Sequence, residues 1–157
     1  MKYIELYPCY PKGQTIEEQL EKIKEEYNEV LEADNWEDRA KELLDLAQTI
    51  MSYMDVLVTT GESEKFVFHR NLKFCEYNLK ENYQYFLTRI ERIKEEYMHI
   101  VVSLHVVGNI LDMFYDLICE HDRGCQKYRS ELLNRFLQEH NDKLESRKKE
   151  WANAAIK

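Results

Sequence analysis

Glycine and proline are so scarce in this chain, and so placed, that a mainly helical fold is the only economical reading. Of 157 residues four are Gly and two are Pro; both prolines lie before residue 12, and residues 64–107 contain neither type. An all-β fold needs turn residues every few positions, and here they are missing. The frequent Leu, Glu and Lys are good helix formers instead. Charged residues at 33% and hydrophobic ones at 44% match amphipathic helices with solvated outer faces, not a disordered chain. The expected class is all-α in one domain over 1–157, with a core closed within the chain or across a dimer.

Residues 1–14 hold both prolines and read as an extended lead-in. Thr15 followed three residues later by Glu18 has capping-box spacing, so a helix should start there. Ile16, Leu20, Ile23, Tyr27, Val30 and Leu31 recur at helical steps and mark one buried stripe up to about Ala33. Asp34 and Asn35 form a break. A second helix follows from about Trp36 to Leu57, with Ala40, Leu43, Leu44, Ala47, Ile50, Met51, Met54 and Leu57 inward. The short break makes the pair, 15–58, an antiparallel hairpin.

The T-T-G-E-S stretch at 59–63 reads as a loop. Residues 64–121 form the middle helices, and sequence leaves open whether the first part is one helix or two broken near Asn71 or Asn82. Phe66, Phe68, Phe74, Tyr77, Tyr83, Tyr85 and Phe86 make this region aromatic, which fits core or a subunit contact better than base stacking. A helix carries Ile100 and Ile118, a turn follows at Asp122, Arg123 and Gly124, and a charged last helix covers 126–151. Two helical hairpins of this kind build a four-helix bundle.

A net charge of −8 disfavours binding to a nucleic-acid duplex. Cys9, Cys75, Cys119 and Cys125 form no C-x-x-C pair, and no secretion signal opens the chain, so a reducing cytoplasm is expected. The apolar run 100–107 is interrupted by Ser103 and His105 and is far shorter than the roughly 20 residues of a membrane span. No membrane association is expected.

Chemistry concentrates in the first two helices. Glu26 and Glu29 are three apart, as are Glu42 and Asp45, so each pair shares a helical face. In a hairpin the two pairs can converge. Acidic pairs on helices are commonplace on solvated faces, but Glu42 and Asp45 lie among Leu43, Leu44, Leu46 and Ala47, where burying them is costly without compensation. A hard divalent cation with oxygen ligands supplies that compensation, and Mg²⁺ is the natural candidate, with Mn²⁺ as a substitute.

The sequence E-E-x-x-E on one helix (Glu25, Glu26, Glu29) and E-x-x-D on the next (Glu42, Asp45) resembles the MazG-like all-α nucleoside triphosphate pyrophosphohydrolases. The surrounding words, Q-L-E-K-I-K-E-E from Gln19 and E-L-L-D-L-A-Q from Glu42, carry the resemblance over residues 12–57. The resemblance implies hydrolysis of a (d)NTP to the (d)NMP and pyrophosphate, with Mg²⁺ held by Glu26, Glu29, Glu42 and Asp45, and with water attacking the α-phosphorus. Glu25 points about 100° away from Glu26 and either holds the attacking water or faces solvent. The H-N-D-K-L-E-S-R segment resembles the family's basic C-terminal helix. In that helix Lys143 and Arg147 share a face and would grip phosphate, with Asn141 assisting; a plain charged surface is the alternative. A homodimer or homotetramer is implied as well. Trp36, Tyr53 and Gln19 lie near the motif helices as candidates for base contact, though each also suits packing.

Ile23-Lys-Glu-Glu-Tyr27 recurs as Ile93-Lys-Glu-Glu-Tyr97, and Leu44-Asp45 as Leu111-Asp112. This is either chance or a degenerate second copy, with His99 at the place of Glu29 and Asn109 at that of Glu42. In a true duplication Glu95, Glu96 and Asp112 could join a shared site. Three other functions compete: a dUTPase or dCTPase of narrow specificity, a non-catalytic helical interaction protein, and a ferritin-like di-metal oxidase. The last wants E-x-x-H on two helices, and only Glu96 with His99 offers it.

Overall fold

Helix α1 (Ile16–Glu32) starts where the capping box places it. Thr15 Oγ1 accepts the Glu18 N–H at 3.1 Å, and Glu18 Oε2 accepts the Thr15 N–H at 2.8 Å, so two free amides at the helix start are satisfied reciprocally. Thr15→Ala should cost about 1 kcal/mol, a fall of roughly 2–4 °C in a thermal melt of a chain this size. An unchanged midpoint would show that the cap carries no stability. The structure, a computed structural model, describes residues 3–58, 66–69, 78–92 and 96–156.

Helix α2 (Trp36–Val58) follows after the Asp34 and Asn35 break, with the Asn35 side chain accepting the Asp38 N–H at 2.9 Å. It is buried on every side from Leu43 to Val56, because α1 packs on one flank and α4 (Glu96–His121) on another. Helix α3 (Leu79–Arg92) covers α4, and α5 (Gln126–Ile156) rests on both α2 and α4. The fold is all-α with a helical-bundle core, as the scarcity of turn residues predicted.

The lead-in is more ordered than an extended entry segment. Tyr3–Leu6 forms β1, which pairs antiparallel with β2 (Phe66–His69), Tyr3 opposite His69 and Leu6 opposite Phe66. The prolines then carry the chain across α2. There the Cys9 N–H donates to Ser52 Oγ at 2.9 Å, and Tyr10 Oη donates to Asp55 Oδ2 at 2.5 Å. Residues 59–63, Phe74, Tyr77 and 93–95, named above as loop, aromatic cluster and repeat, lie outside the described residues.

The buried residues of α1 are Gln19, Ile23, Glu26, Tyr27 and Val30, so Glu26 falls on the inward stripe itself. Leu31, expected inward, is 55% exposed at the edge of that stripe. Tyr83 and Phe86 are packing groups: Tyr83 stacks on Tyr27 with centroids 4.0 Å apart, and Phe86 meets Tyr53 edge-on at 5.6 Å. Residues Tyr97–His121 of α4 are long and apolar enough to cross a membrane by composition. The core helix of a helical bundle has the same composition, and half of the most apolar window is buried within the chain.

Candidate metal centre

The hairpin of α1 and α2 brings Glu26, Glu29 and Glu42 together, with one carboxylate oxygen of each within 4.8 Å of the other two. They differ in exposure. Glu26 is buried at 1%, Glu42 is half-buried and Glu29 faces solvent. The cluster therefore runs from the core outward and is open on one side. Among the described residues both Glu26 oxygens and Glu42 Oε2 are buried without a hydrogen bond. Lys22 Nζ stands 3.2 Å from Glu26 Oε1 as an ion pair, off the line of a hydrogen bond.

Charge crowding shows in the proton affinities. Burial first, then the Asp45 charge and the neighbouring Glu29, push the Glu42 carboxyl up to about 7. Burial and the Asp45 charge also raise that of Glu26, against the pull of Lys22. Carboxylates driven toward protonation, with buried lone pairs unused, form a donor arrangement that a divalent cation would satisfy. The donor set, three hard carboxylates, suits Mg²⁺, Mn²⁺ or Ca²⁺ and offers no soft ligand. The cluster is thus capable of holding a divalent metal, which is consistent with metal-dependent hydrolysis in general.

Asp45, buried at 1%, acts electrostatically on Glu26 and Glu42 but is engaged from α5. Lys143 Nζ is ion-paired with its Oδ2, and His140 Nδ1 lies 3.1 Å from Oδ1 in a bent contact. Burial pushes the Asp45 carboxyl up, but the contacts from His140 and Lys143 outweigh it and hold the group below the ordinary aspartate value. A pocket of about 230 Å³ opens here, lined by Lys41, Glu42, Asp45, Glu139, His140 and Lys143 among others.

The other sequence candidates divide clearly. Glu25 is exposed and accepts from Lys22 at 3.1 Å, so it stands on the outer face. Arg147 is half-buried one turn beyond Lys143, while Asn141 is exposed. Trp36 stacks on His121 with centroids 4.1 Å apart, and Tyr53 is buried with its hydroxyl 2.9 Å from His99 Nδ1. Gln19 Nε2 donates to the Thr49 carbonyl at 2.9 Å. These three are parts of the packing. Asn109, at the place of Glu42 in the suspected repeat, is buried and donates to Asn82 Oδ1 at 2.8 Å. His99 and Asn109 are thus tied into the core and not grouped as a second acidic site.

Sequence reasoning did not single out His140 or Lys41. A signal for His140 was present, since Leu133, Phe136, His140 and Leu144 recur at helical steps and are all buried. Nothing in the spacing distinguished Lys41 from any lysine at the start of a helix.

No family model matches the chain, and no curated protein or solved structure is found to be similar to it.

Proposed function

We propose that this chain is a Mg²⁺-dependent nucleoside triphosphate pyrophosphohydrolase of the MazG-like type, converting a (d)NTP and water to the (d)NMP and pyrophosphate. One observation carries the reading: Glu26 and Glu29 of α1 and Glu42 of α2, the residues of the sequence motif, converge with ligand atoms within 4.8 Å. Glu26, Glu29 and Glu42 would hold the ion, with Asp45 beside them. A bound Mg²⁺ supplies charge neutralisation of the triphosphate and a more acidic water. The chain's own cations complete the reading: Lys143 lines the pocket next to the carboxylates, and Arg147, outside that lining, follows it one turn on along α5. Each would bind phosphate oxygens and so orient the α-phosphorus toward the glutamates. Asn141, exposed on α5, is outside the pocket lining, and its assisting role rests on the sequence resemblance alone.

The test is pyrophosphate release by dialysed protein supplied with each (d)NTP in turn, with and without Mg²⁺. Release that needs Mg²⁺ is the expected result, and the panel separates broad from narrow dUTP or dCTP specificity. No release from any nucleotide at any Mg²⁺ concentration would overturn the assignment.

A further inference from the structure

Asp45 has one fixed and one movable partner. The His140 side chain is 4% exposed and belongs to the buried stripe of α5. The Lys143 side chain is 43% exposed and places its ammonium at the end of a flexible four-carbon stem. Lys143 also lines the pocket of about 230 Å³, together with Lys41. An anion entering that pocket competes with Asp45 for the ammonium.

Withdrawal of Lys143 would leave a buried carboxylate with only an imidazole beside it, which is costly unless another cation arrives. The glutamate cluster next to Asp45 is where such a cation would sit. Resting on the metal-site reading above, we propose that Lys143 is an exchangeable counter-ion, neutralising Asp45 while the pocket is empty and passing to an anionic ligand as Asp45 takes up a divalent cation. Lys143 is then a positioning residue as well as a phosphate contact. Anion and metal binding become coupled, and the coupling is reciprocal.

Mn²⁺ alone is titrated into metal-free wild type, Lys143→Met and Lys143→Arg, counting bound ions by electron paramagnetic resonance and affinity by calorimetry. Met keeps the length of the stem and removes its charge. Lys143→Met is expected to bind Mn²⁺ at least about tenfold more tightly, or to take up an additional ion, because Asp45 has lost its competitor. Lys143→Arg should stay close to wild type. Equal affinity and stoichiometry in folded wild type and Lys143→Met would overturn the exchange while leaving the glutamate site standing. No Mn²⁺ bound by any of the three would remove the glutamate site and this inference with it. A second measurement uses the wild type alone. Sodium sulfate, an inorganic probe for the pocket, should tighten Mn²⁺ binding relative to sodium chloride at equal ionic strength, and the same affinity in both salts would count against the exchange.

Discussion

Replacing Glu26 with glutamine is expected to raise the melting temperature of the metal-free protein and, in the same molecule, to abolish its Mg²⁺-dependent turnover. The carboxylate sits on the inward stripe of α1 at 1% exposure, both oxygens lack hydrogen bonds among the described residues, and Asp45 adds a second negative charge nearby. An amide of the same shape removes the desolvated charge and its repulsion. The ion pair lost is with Lys22, whose side chain is 39% exposed and keeps Glu25 as a partner, so its loss should cost little. The balance should favour the variant by about 1–3 kcal/mol, a shift of several degrees. Turnover should fall by more than about 100-fold, since the amide oxygen is a poor replacement for a charged ligand. Glu21→Gln is the control. Glu21 is exposed and stands 4.0 Å from Lys24, so that change should stay within about 0.5 kcal/mol and keep full activity. A Glu26→Gln protein that is less stable than wild type without metal, or fully active with it, would show that Glu26 is held by something other than the promise of a cation.

How far the sequence foretold this molecule depends on how local each interaction is. The Thr15 cap, the Asp34 and Asn35 break and the E-x-x-E and E-x-x-D spacings are set within one or two helical turns, and helical geometry alone converts them into a hairpin with converging glutamates. The pairing of β1 with β2 joins two four-residue strands more than fifty residues apart. Neither strand shows alternation long enough to announce it. The engagement of Asp45 by His140 and Lys143 is likewise long-range: Lys143 lies 98 residues on, and its effect depends on how α5 settles against α2. Spacing within α5 put Lys143 and Arg147 on one face and His140 on the buried stripe of Leu133, Phe136 and Leu144, but it could not tell that this stripe would meet Asp45 of α2. Periodicity ranks residues by face, and which face meets which neighbour is decided by packing.

Metal-free protein should lose stability as the pH rises from about 4.5 to about 7, and Mg²⁺ should restore it at the upper end of that window. Glu42 has its folded-state proton affinity pushed up to about 7 by burial and by the Asp45 and Glu29 charges, and Glu26 is shifted in the same direction. For a carboxyl raised in this way the unfolded chain gives up its proton first, so stability is full below the unfolded value near 4.5 and is lost as the pH passes the folded one. Asp45 shifts the opposite way, and its contribution disappears only below its ordinary value of 3.8, outside the window. A cation that binds the ionised cluster removes the upper loss. At a free concentration of about 100 times its dissociation constant it adds about 2.7 kcal/mol. Thermal melts at pH 5 and pH 8, each with EDTA and with excess Mg²⁺, separate the contributions: the Mg²⁺ effect should be large at pH 8 and small at pH 5, where protons already occupy the site. In Glu42→Gln both the pH slope and the response to Mg²⁺ should shrink together, because one carboxylate underlies the two. Melting curves at pH 8 that ignore Mg²⁺ would mean the glutamates are neutralised by protons and lysines alone, and the metal centre would have to be abandoned.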